Sequence, residues 1–265
     1  ADQPTVRKAC REAVRQYVAE ELGGLENKTA RFQYLFRRLV RAVEQILDNV
    51  IEELRVSDFA PIDYELDFSR SGDLPPVQCE DGDVSVSLSG KVDRVDGYIK
   101  NGRLYLRVMD YKSGKKSFSL SDIWYGLNMQ LIIYLYALQQ EGLGRYRARL
   151  TAELNEIVPA GVLYVPVRDE LPDAARDTDE EGLRILRDKA LRRSGLLSDD
   201  MSLLEAMEHG LEGDGRFIPV SIKTRKGEDE PTLAAKSAVA DLAKFGRLAR
   251  YTQKKLLEMG QALRN

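Results

Sequence analysis

Residues 84 to 112 constrain this chain more than any other stretch, because they read as a β-hairpin whose register can be worked out from the sequence. Two runs of β-like alternation, 84–99 and 103–112, are joined by Asn101-Gly102. That dipeptide tolerates the two positive φ angles of a type I′ turn. With those two residues as the loop, Lys100 faces Arg103 and the numbers of every opposed pair add to 203. One face then carries Ile99–Leu104, Gly97–Leu106 and Val95–Val108, an apolar strip fit for a core. The other carries Tyr98–Tyr105, Asp96–Arg107 and Arg94–Met109, which includes an aromatic pair and an opposite-charge pair. A slip of one residue would scramble both sets.

The same register places Asp93 opposite Asp110, on the apolar face and just beyond Val95–Val108. Directly opposed Cβ atoms lie about 4.5–5.5 Å apart, so both carboxylates can reach one divalent ion. Two unneutralised carboxylates beside a core repel each other, and either a cation or a raised pKa must resolve the conflict. Lys112 follows Asp110 by two residues and falls on the same face. Tyr111 points the other way, yet its backbone carbonyl is available to a metal. Hard carboxylate and carbonyl oxygens suit Mg²⁺ or Mn²⁺. The competing reading is a strand-end salt bridge between one aspartate and Lys112, which leaves the second carboxylate without a partner.

A long helix is expected next, capped by Ser119 or Ser121 with Asp122 in its first turn, running to about Gln140 and ending near Gly142. Gln130 and Tyr134 are four residues apart and share a face, a polar pair on a helix otherwise rich in leucine and isoleucine. The strand Gly161–Val167 follows, giving a βαβ unit and hence a mixed sheet. Upstream, residues 4 to 56 read as two amphipathic helices broken near Gly23-Gly24, with Phe36, Leu39, Val40, Val43, Ile46 and Leu47 at helical spacing. Downstream, helices are expected at 178–193, 201–209 and 232–262. The expected organisation is one α/β domain over 1–265. Its parts are a helical N-terminal part (1–57), a catalytic α/β core (58–170) and a helical C-terminal part (171–265).

Composition excludes several classes. No apolar run approaches the roughly 20 residues needed to span a bilayer, and the polar N-terminus shows no signal peptide. Cys10 and Cys79 form no CxxC, so neither a disulfide framework nor a zinc site is read; a reducing, cytoplasmic setting is expected. The net charge is only -3, but residues 216–265 hold eleven Lys/Arg against five Asp/Glu. A basic end of this kind either attracts phosphate backbones or is simply a solvated helix face.

Three segments, "GKVDRVD" (90–96), "VMDYKSGKKSFSL" (108–120) and "YGLNMQLIIYLYAL" (125–138), resemble the successive motifs of the RecB-like nucleases in the PD-(D/E)XK superfamily. The likeness is strongest to the C-terminal nuclease domains of the AddB subunits of bacterial AddAB helicase–nucleases. It extends to "RRSGLL" (192–197), "AMEHGL" (206–211) and "IPV" (218–220), and so covers most of the chain. The resemblance implies a restriction-endonuclease-like core, with a mixed β-sheet flanked by helices and helical extensions at both ends. It also implies a role for each matching position. Asp93 and Asp110 would be the metal-binding acids, and Lys112 the lysine that positions or polarises the attacking water. Gln130 and Tyr134 would be the helix residues facing the active site and DNA. The implied activity is exonuclease-type hydrolysis of DNA phosphodiesters with Mg²⁺ or Mn²⁺. It would act on single-stranded ends, beside an AddA-like motor subunit, in double-strand break repair and recombination.

Two features depart from that pattern. Related nucleases carry a metal-binding histidine on an early helix, whereas the only histidine here is His209, far downstream. The AddB subunits also hold an iron–sulfur cluster through one upstream and three C-terminal cysteines, a spacing that Cys10 and Cys79 do not match. The cluster is therefore not expected in this chain. The simplest account is a piece of a larger subunit; a free-standing, cluster-free relative is the other. The alternative function is a catalytically weak or inactive nuclease-fold module that binds DNA or a partner helicase subunit.

Overall fold

The computed structural model describes residues 3–114, 117–167, 175, 177–223 and 231–264. Lys115 and Lys116 of the second motif, and Arg225 and Lys226 of the basic C-terminal stretch, lie outside the described residues. The chain opens with α1 (Gln3–Glu20) and α2 (Ala30–Arg55), then β1 (Ala60–Phe68), β2 (Val77–Asp81), β3 (Val84–Leu88), β4 (Gly90–Lys100) and β5 (Arg103–Lys112). The short α3 (Leu120–Trp124), α4 (Gln130–Leu150) and β6 (Glu156–Pro166) follow. After these come α5 (Glu180–Leu191), β7 (Ser194–Ser198), α6 (Met201–Met207), β8 (Ile222–Lys223), β9 (Thr232–Leu233), β10 (Val239–Ala240) and α7 (Leu242–Arg264).

A six-stranded mixed sheet of order β1-β4-β5-β6-β7-β10 organises these elements. The hairpin ladder runs from Lys100–Arg103 to Arg94–Met109 in the register expected from the turn. β5 and β6 are parallel, as the α3–α4 crossover requires. β6 is buried along nearly its whole length, which explains its unbroken apolar run: both of its faces are covered. On one face the sheet packs against α4 and α7, with Val95, Leu104, Leu106 and Val108 joining Leu131, Leu135 and Leu138. On the other, Met109, Leu163 and Leu197 meet Leu204, Met207 and Ile218. Among the described residues no helix is long and apolar enough to cross a membrane.

The second face of the hairpin is not a solvated one. Arg94, Asp96 and Arg107 are fully buried and meet Glu53 of α2 and Arg193. Arg94 grips Asp96 through two bonds of 2.6 Å, and Arg107 reaches the same carboxylate at 2.9 Å. Glu53 forms an ion pair with Arg107 at 3.1 Å and accepts a hydrogen bond from Arg193 at 2.7 Å. Arg193 also donates to Asn49 of α2. Three guanidiniums and two carboxylates thus clamp α2 to the sheet.

Four expectations are corrected. The run 84–99 is two strands: β3 pairs with β2 in a hairpin of its own, closed at Gly82-Asp83 with Gly82 at positive φ, a local turn that the alternation of 84–99 does not reveal. The single long helix is broken at Tyr125–Met129, where Gly126 (φ +77°) and Asn128 (φ +53°) adopt left-handed conformations that end a helix. It then runs on past Gly142, whose missing side chain lets Ile157 and Tyr146 close in, and stops only at left-handed Thr151. The C-terminal part is not purely helical, since β7 and β10 complete the main sheet. Finally, the last helix begins at Leu242 rather than 232, because the Asp241 carboxylate accepts from the Lys244 amide at 2.6 Å and caps it there. The break between α1 and α2 does fall at Gly23-Gly24, both with positive φ.

Candidate active site

The hydrogen-bonded ladder stops one pair before Asp93 and Asp110. Beyond it, the Asp93 carboxylate accepts from the Tyr111 amide at 2.7 Å, so the side chain of β4 bridges to the backbone of β5. Asp110, only 4% exposed, forms an ion pair of 2.5 Å with Lys112. Both carboxylates therefore have partners, and their mutual repulsion does not by itself require a cation. The salt bridge expected from the competing reading exists, and the carboxylate which that reading left alone is held by a backbone N–H.

The strand backbone adds a further donor set. The Lys112 carbonyl accepts from Val167 N at 2.8 Å, so it faces β6. Alternation turns the Tyr111 N–H and carbonyl together to the opposite side, where Asp93 stands. Tyr111 is itself fixed from behind: its hydroxyl accepts from Arg94 Nη1 at 3.1 Å. The buried charge cluster thus reaches, through one tyrosine, the residue between Asp110 and Lys112. Among the described residues no group of three or more His, Cys, Asp or Glu side chains converges. Two carboxylates and a carbonyl, with water and phosphate oxygens completing the shell, are a donor set that fits Mg²⁺ or Mn²⁺.

Gln130 is the exposed first residue of α4, not a mid-helix residue among apolar neighbours. Its amide donates to the Tyr134 hydroxyl at 3.3 Å. Tyr134, 8% exposed, stacks on Phe68 with centroids 5.6 Å apart. Its hydroxyl lies over Gly90, where a Cβ would overlap it. Gly90 therefore admits the phenol at the start of the strand that carries Asp93. Gly90→Ala is expected to destabilise the chain by about 1–3 kcal/mol through overpacking, and Tyr134→Phe in the same chain should recover most of that loss. Thermal unfolding of the single and double variants checks it; no recovery would place the strain elsewhere.

Two neighbours were not legible in the sequence as site residues. Tyr164 of β6 pairs with Asp110 in the sheet register. Burial, then the charges of Asp110 and Asp122, push its phenol up to about 12, so it stays protonated. Asp122 of α3, read from the sequence only as a helix-dipole acid, adds its charge to the surroundings of Tyr164 and is held by Asn128 at 2.7 Å. Their only sequence signal was a polar group in an apolar strand and one in a helix cap. Phe118, just before α3, is tied to the sheet: its amide donates to Ser194 of β7 at 2.9 Å. His209 is engaged elsewhere, 3.0 Å from Asp58.

A mixed sheet presenting Asp-x-Lys on one strand and an aspartate on its antiparallel neighbour is the arrangement that the resemblance to nucleases implies, and comparison of sequences agrees. The family model of the PD-(D/E)XK nuclease superfamily matches residues 2–259, and the chain belongs to that superfamily. Among individual proteins it is similar to an ATP-dependent helicase/deoxyribonuclease subunit of Ruminiclostridium cellulolyticum, at 35% identity over 96% of this chain and 21% of that protein. The equivalent helicase/deoxyribonuclease subunits of Acetivibrio thermocellus and Clostridium acetobutylicum are each 34% identical, over 94% and 81% of this chain. The chain spans about a fifth of the length of these relatives.

Proposed function

We propose that the chain is a metal-dependent deoxyribonuclease domain whose centre is Asp93, Asp110 and Lys112. The observation that carries this is the convergence at one strand end: Asp93 is held on the Tyr111 amide and Asp110 on Lys112. Asp93, Asp110 and the Tyr111 carbonyl would hold Mg²⁺ or Mn²⁺. When bound, that ion supplies hydroxide at neutral pH and offsets charge on the phosphate. Lys112 sets its ammonium beside Asp110, where it orients the attacking water and stabilises negative charge developing on the phosphoryl oxygens. Gln130 and Tyr134 line the approach on α4, where amide and phenol donate hydrogen bonds to the DNA backbone.

The names of the relatives, which couple a helicase to a deoxyribonuclease, support a place for this domain within an ATP-dependent helicase–nuclease. Its partner would be an AddA-like motor subunit, its substrate single-stranded DNA ends in the cytoplasm, and its role exonucleolytic processing of double-strand breaks. Two measurements test the reading. Calorimetric titration with Mn²⁺ should show binding that disappears in Asp93→Ala, and single-stranded DNA should be cut only when Mg²⁺ or Mn²⁺ is present. Metal-independent cutting, or metal binding unchanged in Asp93→Ala, would overturn it.

A further inference from the structure

Beside the site, α3 and α7 present a second surface that combines stacked aromatic rings with basic side chains. Trp124 and Tyr251 stack with centroids 5.2 Å apart and planes 6° from parallel. The Tyr251 hydroxyl locks the pair by donating to the Trp124 carbonyl at 2.6 Å. Lys255 Nζ stands 5.8 Å from the centre of the Tyr251 ring. Trp124 nevertheless remains 64% exposed, and Tyr125 beside it 77%. An indole held rigidly and left open to water is an unusual use of the largest apolar side chain.

A groove of about 490 Å³ runs along this pair, lined by Leu120, Ile123, Trp124, Lys244, Arg247 and Tyr251. Lys244, Arg247, Tyr251 and Lys255 recur at three- and four-residue spacing, so they share one face of α7. That helix carries six Lys/Arg against one Glu and accounts for much of the basic C-terminal excess seen in the sequence. The surface also adjoins the catalytic cluster. The Phe118 amide, just before α3, donates to Ser194, which pairs with Tyr164, the sheet partner of Asp110.

We propose that this surface is a platform for single-stranded DNA, receiving nucleotides that flank the one being cleaved. A base stacks on the open face of Trp124, and Lys244 and Arg247 take phosphates along the groove. Charge and stacking together match this ligand: a single strand offers free base faces and phosphates at once, whereas the base faces of a duplex are already covered by their neighbours. The assignment rests on the nuclease reading for the identity of its ligand, but not for its detection.

The chain has one tryptophan, so its indole fluorescence reports on this position alone. Titration with a 20-nucleotide oligo(dT) in EDTA, where metal-dependent cutting is absent, is expected to give saturable quenching. A strand of equal length with abasic sites in place of bases should bind without quenching. By fluorescence anisotropy, Trp124→Ala should weaken oligo(dT) binding by about 10- to 100-fold, while Trp124→Phe stays within a few-fold of the parent. Lys244→Ala and Arg247→Ala should each lower the slope of log affinity against log salt by about 0.7. Oligo(dT) binding without quenching, unchanged binding by Trp124→Ala, or no binding at all would overturn the proposal, and would leave this face to a protein partner instead. Metal-dependent cutting without quenching would keep the nuclease reading and sink this one; quenching without cutting would do the reverse.

Discussion

Alanine at Asp110 should lower metal-dependent cleavage of single-stranded DNA on the order of 10³-fold or more, and Lys112→Ala should do nearly the same. Both groups sit on β5 at the point where the hairpin ladder ends, and they are joined at 2.5 Å. On the proposed reading the carboxylate would contribute to metal binding, and the ammonium would act chiefly on charge that develops in the transition state. The loss should therefore fall on kcat more than on KM for Lys112→Ala. Asp110→Asn keeps the side chain's shape while removing its charge, and should be as inactive as the alanine variant. Steady-state cleavage at saturating Mg²⁺, with thermal unfolding as a control for folding, measures both. Asp110→Asn cutting at the parental rate would remove Asp110 from the mechanism.

The largest expected effect on stability lies behind the site. Glu53 is completely buried between Arg107 and Arg193. Removing its carboxylate in Glu53→Ala leaves a surplus of buried positive charge, which costs about 3–5 kcal/mol. For a chain of this size that is a fall of roughly 10 °C in melting temperature. The same cluster sets a pH dependence. Burial alone would raise the Glu53 carboxyl, but Arg193, Arg107 and Arg94 hold it below its ordinary value of 4.5. Asp96 is likewise buried, and Arg94 and Arg107 hold it below 3.8. A depressed carboxyl contributes stability above its unfolded value and loses it as pH falls through the folded one. Urea unfolding from pH 7 to 3 should thus give a stability that is level down to about pH 5 and then declines. Part of that acid slope should vanish in Glu53→Gln. An equal slope in both proteins would mean that the cluster does not govern acid unfolding. Because Arg94 also holds the Tyr111 hydroxyl, Glu53→Ala is expected to loosen the strand end that carries Asp110 and Lys112.

The hairpin was legible because every determinant of it is local. Asn101 and Gly102 do take positive φ, and all the pairs between Lys100–Arg103 and Arg94–Met109 follow from that turn. The cap at Ser119, which accepts from the Asp122 amide at 3.2 Å, was local in the same way. The break after Trp124 was misread because apolar spacing continues across it, and two left-handed residues weigh little against periodicity. β7 and β10 were missed because strands of five and two residues carry almost no pattern of their own. β7 forms on the edge that β6 offers, and β10 on the edge of β7.

The sequence by itself determined the hairpin register that carries Asp93, Asp110 and Lys112 to one strand end, since turn chemistry and period-two alternation act over a few residues. Only the tertiary structure decided what surrounds them. It buried Arg94, Asp96 and Arg107 against α2, set Tyr164 beside Asp110, and stacked Trp124 on Tyr251 across more than a hundred residues of chain. Such contacts depend on which faces of distant elements are left to cover one another. That is a property of the packed whole and not of any short stretch of chain.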